Sequence, residues 1–506
     1  MNREVKVPTT SGADKVPPEH WTIARQTIET FTDRWKIGRR LTASSPDYVD
    51  ARPFCDSVLA EALSDKRFLN VKERASFFDW SSAKCGRKSL FPVLAAHDLL
   101  LRGDTKRALH HLSLAMSLDQ EDIYAQEMWF EARGEPVQPI DSSRYFCTNP
   151  FERIESASRN RLMFCCPAWL PVPVGSLDDD TAEAVWNSAA AQDIRASIHD
   201  GSYRYCSRMH CPMLSENKLP RVEDISNSVT RTAMVEKKTI VPTRINRIGL
   251  AHDRSCNLTC PSCRTKLIIA NREETERLDL LTDKALLPLL LASRRVTITG
   301  SGDPFSSKHY RNVIRKLTSL PNAPIIDLQT NGLLLARSWN ELGLEGHVGK
   351  VLLSIDAARK ETYEVVRRGG IFEDLLKNLE FLSELRHRGA VKDVRLDFVT
   401  QALNFREMPE AADLMRQFGF DQIKFQMLRS WNTWSAEEFQ RQHVGQPDHP
   451  DHAEFQQIMQ DPRLNQTDVT YSGFYSLVSA STSTATKSGP SVDLSKGDVR
   501  QAASLA

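Results

Sequence analysis

The sequence predicts an α/β protein: an incomplete parallel (β/α)6 barrel, preceded by a small cysteine-rich module and an N-terminal α-helical region. Three observations predict it. Six short apolar strands alternate with helical patterns, a tight cysteine triplet follows the first of those strands, and five more cysteines lie just upstream. The strands read at residues 245–251, 296–299, 325–329, 351–355, 394–400 and 422–427. The clearest intervening helix covers 371–387, where Phe372, Leu375, Leu376, Leu379, Leu382 and Leu385 recur at three- and four-residue intervals. Strands alternating with helices imply parallel pairing through right-handed crossovers, and such sheets carry their chemistry at the carboxyl ends of the strands.

The triplet is Cys256, Cys260 and Cys263, in the run Ser255-Cys256-Asn257-Leu258-Thr259-Cys260-Pro261-Ser262-Cys263. A CxxxCxxC spacing offers three thiolates where a cubane 4Fe-4S cluster takes four, which leaves one iron open to an exchangeable ligand. S-adenosylmethionine, chelating through its amino and carboxylate groups, is the ligand this spacing suggests. A zinc knuckle is the competing reading, but zinc wants a fourth Cys or His at close spacing. On this motif the chain resembles the radical S-adenosylmethionine superfamily, whose fold is the partial (β/α)6 barrel.

The resemblance continues along the strand ends. Thr299-Gly300-Ser301-Gly302-Asp303-Pro304 follows the second strand, where the family usually has Gly-Gly-Glu-Pro. Glycines let a loop bring its backbone close to a ligand, so Gly300, Ser301, Gly302 and Asp303 are expected to grip the methionine amino group. Asp in place of Glu keeps the charge and shortens the reach. The third strand ends in Gln329-Thr330-Asn331-Gly332 and the fourth in Leu353-Ser354-Ile355-Asp356, followed by Arg367-Arg368-Gly369-Gly370. In similar enzymes with auxiliary clusters the Ser and Asp lie near ribose and substrate, and a following Arg pairs the methionine carboxylate. The resemblance carries those roles onto Ser354, Asp356 and one of Arg367 or Arg368, an Arg being suited by its planar two-pronged guanidinium. Asn404 and Arg429, after the fifth and sixth strands, are candidates by position alone.

Cys147, Cys165, Cys166, Cys206 and Cys211 precede the barrel, and the Cys165-Cys166-Pro167 run and the 201–206 stretch resemble pieces of the SPASM domain. SPASM modules usually follow the barrel, whereas no cysteine follows Cys263 here. The resemblance implies a SPASM-like module at 141–235 holding one auxiliary 4Fe-4S cluster on Cys147, one of Cys165 or Cys166, Cys206 and Cys211. A structural zinc site is the alternative. Cys55 and Cys85 sit singly in helical surroundings and read as small buried hydrophobes.

The 506 residues carry 66 basic and 65 acidic side chains, so bulk charge makes no case for nucleic acid or membrane as a partner. The start lacks the apolar core of a signal peptide and no apolar stretch has membrane-spanning length, so the expected compartment is the cytoplasm. There, ten cysteines read as cluster or metal ligands rather than disulfides. Residues 1–18 and 479–506 read as disordered and 19–140 as helical, with 91–119 resembling one tetratricopeptide unit through Ala95, Leu99, Leu101, Gly103, Ala108, Leu109, Leu112 and Ala115. The barrel is expected over 236–435 and a helical extension over 436–478, where Asp451 is expected to cap a helix and the neighbouring His449 and His452 not to bind metal. Trp431 and Trp434 are expected to close the barrel mouth or pack the last helix.

The resemblance implies an enzyme that cleaves S-adenosylmethionine reductively and abstracts hydrogen from a peptide or small-metabolite substrate, with a flavodoxin- or ferredoxin-like reductant as partner. An auxiliary cluster favours net oxidation, cross-linking or epimerisation. The competing class is a non-catalytic iron-sulfur or zinc scaffold, against which the intact triplet and the matching strand ends argue.

Overall fold

The computed structural model describes residues 60–61, 89–118, 122–135, 138–178, 181–215, 217–431, 433–447 and 449–474. Cys55, Cys85 and the two segments expected to be disordered lie outside the described residues. The first described elements are three helices, α1 (Leu90–Leu101), α2 (Thr105–Leu118) and α3 (Ile123–Ala132). Gly103 turns the chain between α1 and α2 with φ 77°, a left-handed conformation glycine adopts without steric cost. Ala95, Ala108, Leu112 and Ala115 are buried where the helices meet. Leu101 departs from the expected pattern: it ends α1 and stands 72% exposed.

Ten strands form one sheet in the order β10-β9-β8-β7-β6-β5-β4-β1-β2-β3. They are β1 (Arg153–Ser156), β2 (Arg161–Met163), β3 (Gly175–Ser176), β4 (Arg247–Leu250), β5 (Arg295–Ile298), β6 (Ile325–Thr330), β7 (Val348–Ser354), β8 (Asp393–Thr400), β9 (Gln422–Met427) and β10 (Val469–Ser472). Strands β4 to β9 are the six expected ones, each parallel to the next. The sheet runs further than the sequence reading foresaw. The cysteine-rich segment adds β1 parallel to β4, with β2 and β3 antiparallel beyond it, and the C-terminal extension adds β10 parallel to β9. All four added strands have four residues or fewer, but length alone does not hide a strand, since β4 and β5 are as short and were expected.

The sheet has two unlike faces, because successive side chains on a strand point to opposite sides. One face carries Ile154, Ile248, Leu250, Val296, Ile298, Leu328, Val351, Leu353, Leu396 and Phe425, all buried in one core with helix residues such as Leu317, Leu379 and Leu382. The other carries charges paired within and across strands: Arg153 with Glu155, Arg295 with Asp327 at 2.8 Å, Lys350 with Asp393 at 2.7 Å and Arg395 with Asp397 at 2.7 Å. Parallel sheets covered by helices on both sides are apolar on both. Here only one side is.

The cysteine-rich segment shares that core through Phe146, Phe151, Phe164 and Trp186. Among them lies Arg195, wholly buried, its guanidinium 4.8 Å from the Trp186 ring centroid and donating to the carbonyls of Pro150 and Thr239 and the Asn187 side chain. Gly201 has φ 75°, and a Cβ there would stand 2.1 Å from the Ile140 carbonyl oxygen. At the other end of the chain Asp451 occupies the N-cap position of His452–Ile458 but makes no side-chain cap bond; its carboxylate lies 3.6 Å from Arg406 instead. His449 and His452 bond to the carbonyls of Arg441 and Val444. Trp431 is 56% exposed and Trp434 half-buried.

Candidate active site

The triplet lies on the loop that leaves the carboxyl end of β4. A buried polar chain holds the start of that loop: the Ser156 hydroxyl lies 2.6 Å from His252 Nδ1, His252 Nε2 3.0 Å from His309 Nε2, and His309 Nδ1 2.5 Å from Asp279. One arrangement satisfies every member, with Ser156 donating to His252, His252 to His309 and His309 to the carboxylate. It needs a neutral His252, and burial, followed by the neighbouring His309, pushes that imidazole's pKa well below its ordinary value.

Next, Asp253 accepts from the backbone and hydroxyl of Ser255, both at 2.8 Å, and turns the chain toward Cys256. Cys256 bridges to Ile268, its N–H donating to the Ile268 carbonyl at 2.9 Å, so the cysteine loop closes on itself. Within it the N–H groups of Cys263 and Arg264 both donate to the Cys260 carbonyl. Cys256 and Cys260 are buried with Leu258, and Cys263 packs beside them. Burial pushes the Cys256 thiol up to about 11, helped by the Asp303 carboxylate, and pushes Cys260 up against the pull of Arg367.

The loop after β5 presses against this one backbone to backbone. A Cβ on Gly302 would come within 2.6 Å of the Ser255 carbonyl and 2.8 Å of the Asp253 carbonyl, so only glycine fits. Ser301 donates its hydroxyl to the Ala251 carbonyl at 2.6 Å, and a Cβ on Gly300 would meet nothing closer than 3.7 Å. Asp303 is buried, and its two oxygens accept from the N–H groups of Phe305 and Ser306 and from the Thr330 hydroxyl and the Asn331 N–H. Its carboxylate therefore ties the β5 loop to the end of β6. What the loop leaves for a ligand is backbone.

Asp356, after β7, is buried with φ 55°. It accepts from the Val399 N–H at 2.7 Å and pairs with Arg367 at 2.9 Å. Asn404 holds that strained turn by donating to the Asp356 and Val399 carbonyls, both at 2.8 Å, which makes it a positioning residue. Arg367 is half-buried and reaches the Cys260 sulfur at 3.8 Å, whereas Arg368 is exposed and bonds to the Thr259 hydroxyl at 3.3 Å. Ser354 ends β7 on the charged face.

Two residues that sequence reasoning passed over belong here. Arg264 is buried, donates to the Arg254 and Ser301 carbonyls at 2.8 and 2.9 Å, and lies 3.5 Å from the Cys263 sulfur. Its place directly after the triplet was the available signal. Asn331 approaches the Cys256 sulfur at 3.7 Å and donates to the Asn257 side chain at 2.9 Å.

The upstream cysteines form a second group. Cys147 is destabilised as a thiolate by Cys211 and Cys165, and Cys206 by Cys211, Cys147 and Cys165, each after the larger effect of burial. Burial pushes the Cys166 thiol up, helped by Glu155 and Cys165 and opposed by Arg429. The Tyr203 hydroxyl accepts from the Cys147 N–H, and Asn149 donates to the Cys165 sulfur at 3.4 Å. Arg153 feels both Cys165 and Cys166, so this group borders the charged face of the sheet. Among the described residues no three Cys, His, Asp or Glu side chains are gathered at the spacing of a single bound metal ion.

Asp303→Asn would set an amide N–H2 against two of the four donors that now converge on the carboxylate. The expected loss is about 3 kcal/mol, two hydrogen bonds to a charged group at the lower end of their range, read as a lower denaturation midpoint of the apoprotein. An unchanged midpoint would contradict the assigned role.

No protein-family model matches the chain. It is 30% identical over 139 residues to the GTP 3',8-cyclase of Peptoclostridium acidaminophilum, a match covering 27% of this chain and 42% of that protein. It is also 30% identical over 164 residues to the GTP 3',8-cyclase of Alkaliphilus oremlandii, covering 32% and 49%. The chain thus spans less than half the length of these relatives. Similar solved structures include Streptococcus suis SuiB bound to precursor peptide SuiA, at 13% identity and TM-score 0.34 over 68% of this chain and 75% of that one. Another is anSMEcpe with bound AdoMet and Kp18Cys peptide, at 17% identity and TM-score 0.29 over 45% and 63%. The similarity to these two cyclases spans about a quarter to a third of this chain.

Proposed function

We propose that the protein cleaves S-adenosylmethionine reductively to a 5'-deoxyadenosyl radical and uses it to remove hydrogen from a peptide or small-metabolite substrate. The observation that carries this reading is the triplet loop, with Cys256 and Cys260 buried, Cys263 packed beside them and the half-buried Arg367 next to Cys260. Cys256, Cys260 and Cys263 would hold a 4Fe-4S cluster, which supplies the electron for cofactor cleavage when bound. Arg367 would meet the methionine carboxylate, its other edge steadied by Asp356. The backbone of Gly300 to Gly302 would take the amino group, with Asp303 and Arg264 fixing the loop, and Ser354 would border the ribose. Arg368, being exposed, is assigned to the loop junction rather than to the cofactor. A flavodoxin- or ferredoxin-like protein would deliver the electron.

The polar face of the sheet supports a curled, partial barrel whose lumen holds the substrate, since barrel interiors alternate with the helix-covered side along every strand. In the same reading 141–235 is a SPASM-like module, and the mutual influence of Cys147, Cys165, Cys206 and Cys211 favours them as ligands of an auxiliary 4Fe-4S cluster, leaving Cys166 out. Such a cluster bordering the lumen suits net oxidation, cross-linking or epimerisation, because it can accept an electron from a substrate radical. The helical region would be a tetratricopeptide-like platform, and the compartment reducing. Among the described residues no helix is long and apolar enough to cross a membrane.

Anaerobically reconstituted protein should yield 5'-deoxyadenosine from S-adenosylmethionine with a strong reductant, and the Cys256, Cys260, Cys263→Ala triple variant should yield none. Product analysis by chromatography checks this. Wild-type protein with a loaded cluster and no product would overturn the proposal.

The triple variant should retain about four iron atoms per chain, the content of one cubane cluster. Adding Cys165→Ala should remove them and adding Cys166→Ala should not. Retention of about one zinc and no iron, read by metal analysis and Mössbauer spectroscopy, would show a closed structural site instead.

A further inference from the structure

Beside the carboxyl end of β9 lies a cavity of about 470 Å³, within the range of small-molecule sites. Its walls come from α2 and α3 of the helical region, the Met209-His210 stretch leading into Cys211, the end of β9 and the residues after it, the helix Ala436–Gln442 with the segment that follows, and Gly473 after β10. Two features describe what fits. The walls are apolar and soft, with Trp129, Met209, Met427 and Phe439 prominent. The charged lining is entirely basic, with Lys106, Arg133 and Arg429 and no Asp or Glu among the lining residues.

These cations are not committed alike. Arg133 lies 4.5 Å over the Trp129 ring and bonds to Glu135 at 3.1 Å. Arg429 donates only a long 3.5 Å hydrogen bond, to the His210 carbonyl, and neither it nor Lys106 has a carboxylate partner among the described residues. A half-buried guanidinium bordered by apolar walls and lacking a counter-charge attracts an anion more strongly than an exposed one does, because water screens it less. An aromatic and thioether lining suits a flat or aliphatic body, which sulfur and ring faces contact without demanding one shape.

We propose that this cavity binds a small organic anion, one carboxylate, sulfonate or phosphate joined to an apolar body, and that it is where the substrate's non-reacting part is held. The substrate assignment rests on the radical S-adenosylmethionine reading; the binding site does not. The anionic group sits between Lys106 and Arg429, and the apolar body lies against Trp129, Met209 and Met427. Because Met209 and His210 run directly into Cys211, a ligand held here lies against the loop carrying two of the upstream cysteines. The helical region thereby becomes one wall of the substrate site.

The test uses two dyes of matching body on the full chain: 8-anilino-1-naphthalenesulfonate, which carries a sulfonate, and neutral N-phenyl-1-naphthylamine. Fluorescence titration should give one saturable sulfonate-dye site per chain, weakened about tenfold or more in the Lys106→Gln, Arg429→Gln double variant. The neutral dye should change less than about twofold, and Arg429→Lys should keep most of the affinity, since it keeps the charge. Equal binding of the sulfonate dye by wild type and double variant overturns the proposal. So does an equal loss of both dyes that Arg429→Lys shares. Formation of 5'-deoxyadenosine by the wild-type protein is measured separately, so absence of cleavage with dye binding intact counts against the radical reading and not against the cavity.

Discussion

The structure turns on how a loop with no regular secondary structure is made rigid enough to hold three thiols in one place. It is clamped from two sides by buried charge. On one side Asp303 gathers four donors from the β5 loop and the end of β6, while Gly302 lets that loop touch the backbone of Asp253 and Ser255. On the other Arg367 is seated on Asp356, and the Arg368 carbonyl takes the Thr259 N–H at 2.9 Å. Burial alone would drive the Asp303 and Asp356 carboxylates toward their neutral forms, and both are pushed up in pKa despite their partners. Such groups persist because a satisfied buried network specifies one arrangement of its loops.

The sheet makes that clamp possible. Parallel pairing brings the ends of β4, β5, β6 and β7 side by side, so residues from positions 253 to 367 meet within a few ångströms. It also separates two environments: helices cover the apolar face, while the opposite face keeps its charges in pairs.

Strand bounds were read with unequal precision: 422–427 coincides with β9 and 394–400 differs from β8 by one residue, whereas 351–355 misses the first three residues of β7. The short strands β1, β2, β3 and β10 are defined by their neighbours rather than by their own pattern. The cysteine spacing singled out the triplet, and the Arg367-Arg368 pair was singled out without revealing which member lies against Asp356. That difference comes from the chain leaving the helix Lys360–Val366 with Arg367 turned toward Asp356, a tertiary fact. Likewise Cys165 and Cys166 are equivalent as sequence and differ in burial, Cys165 being buried and Cys166 half-buried. The Asp451 cap failed because Arg406, distant in sequence, lies near its carboxylate.

The most direct test of the central claim is electron paramagnetic resonance of the reduced, cluster-loaded protein titrated with S-adenosylmethionine. The account predicts that the cofactor shifts the signal of the cluster held by Cys256, Cys260 and Cys263. It also predicts that Arg367→Ala weakens this binding by about 1.5–3 kcal/mol, the range for a hydrogen bond to a charged group, while Arg368→Ala leaves it nearly unchanged. A loaded cluster whose signal ignores the cofactor at saturating concentration would contradict it.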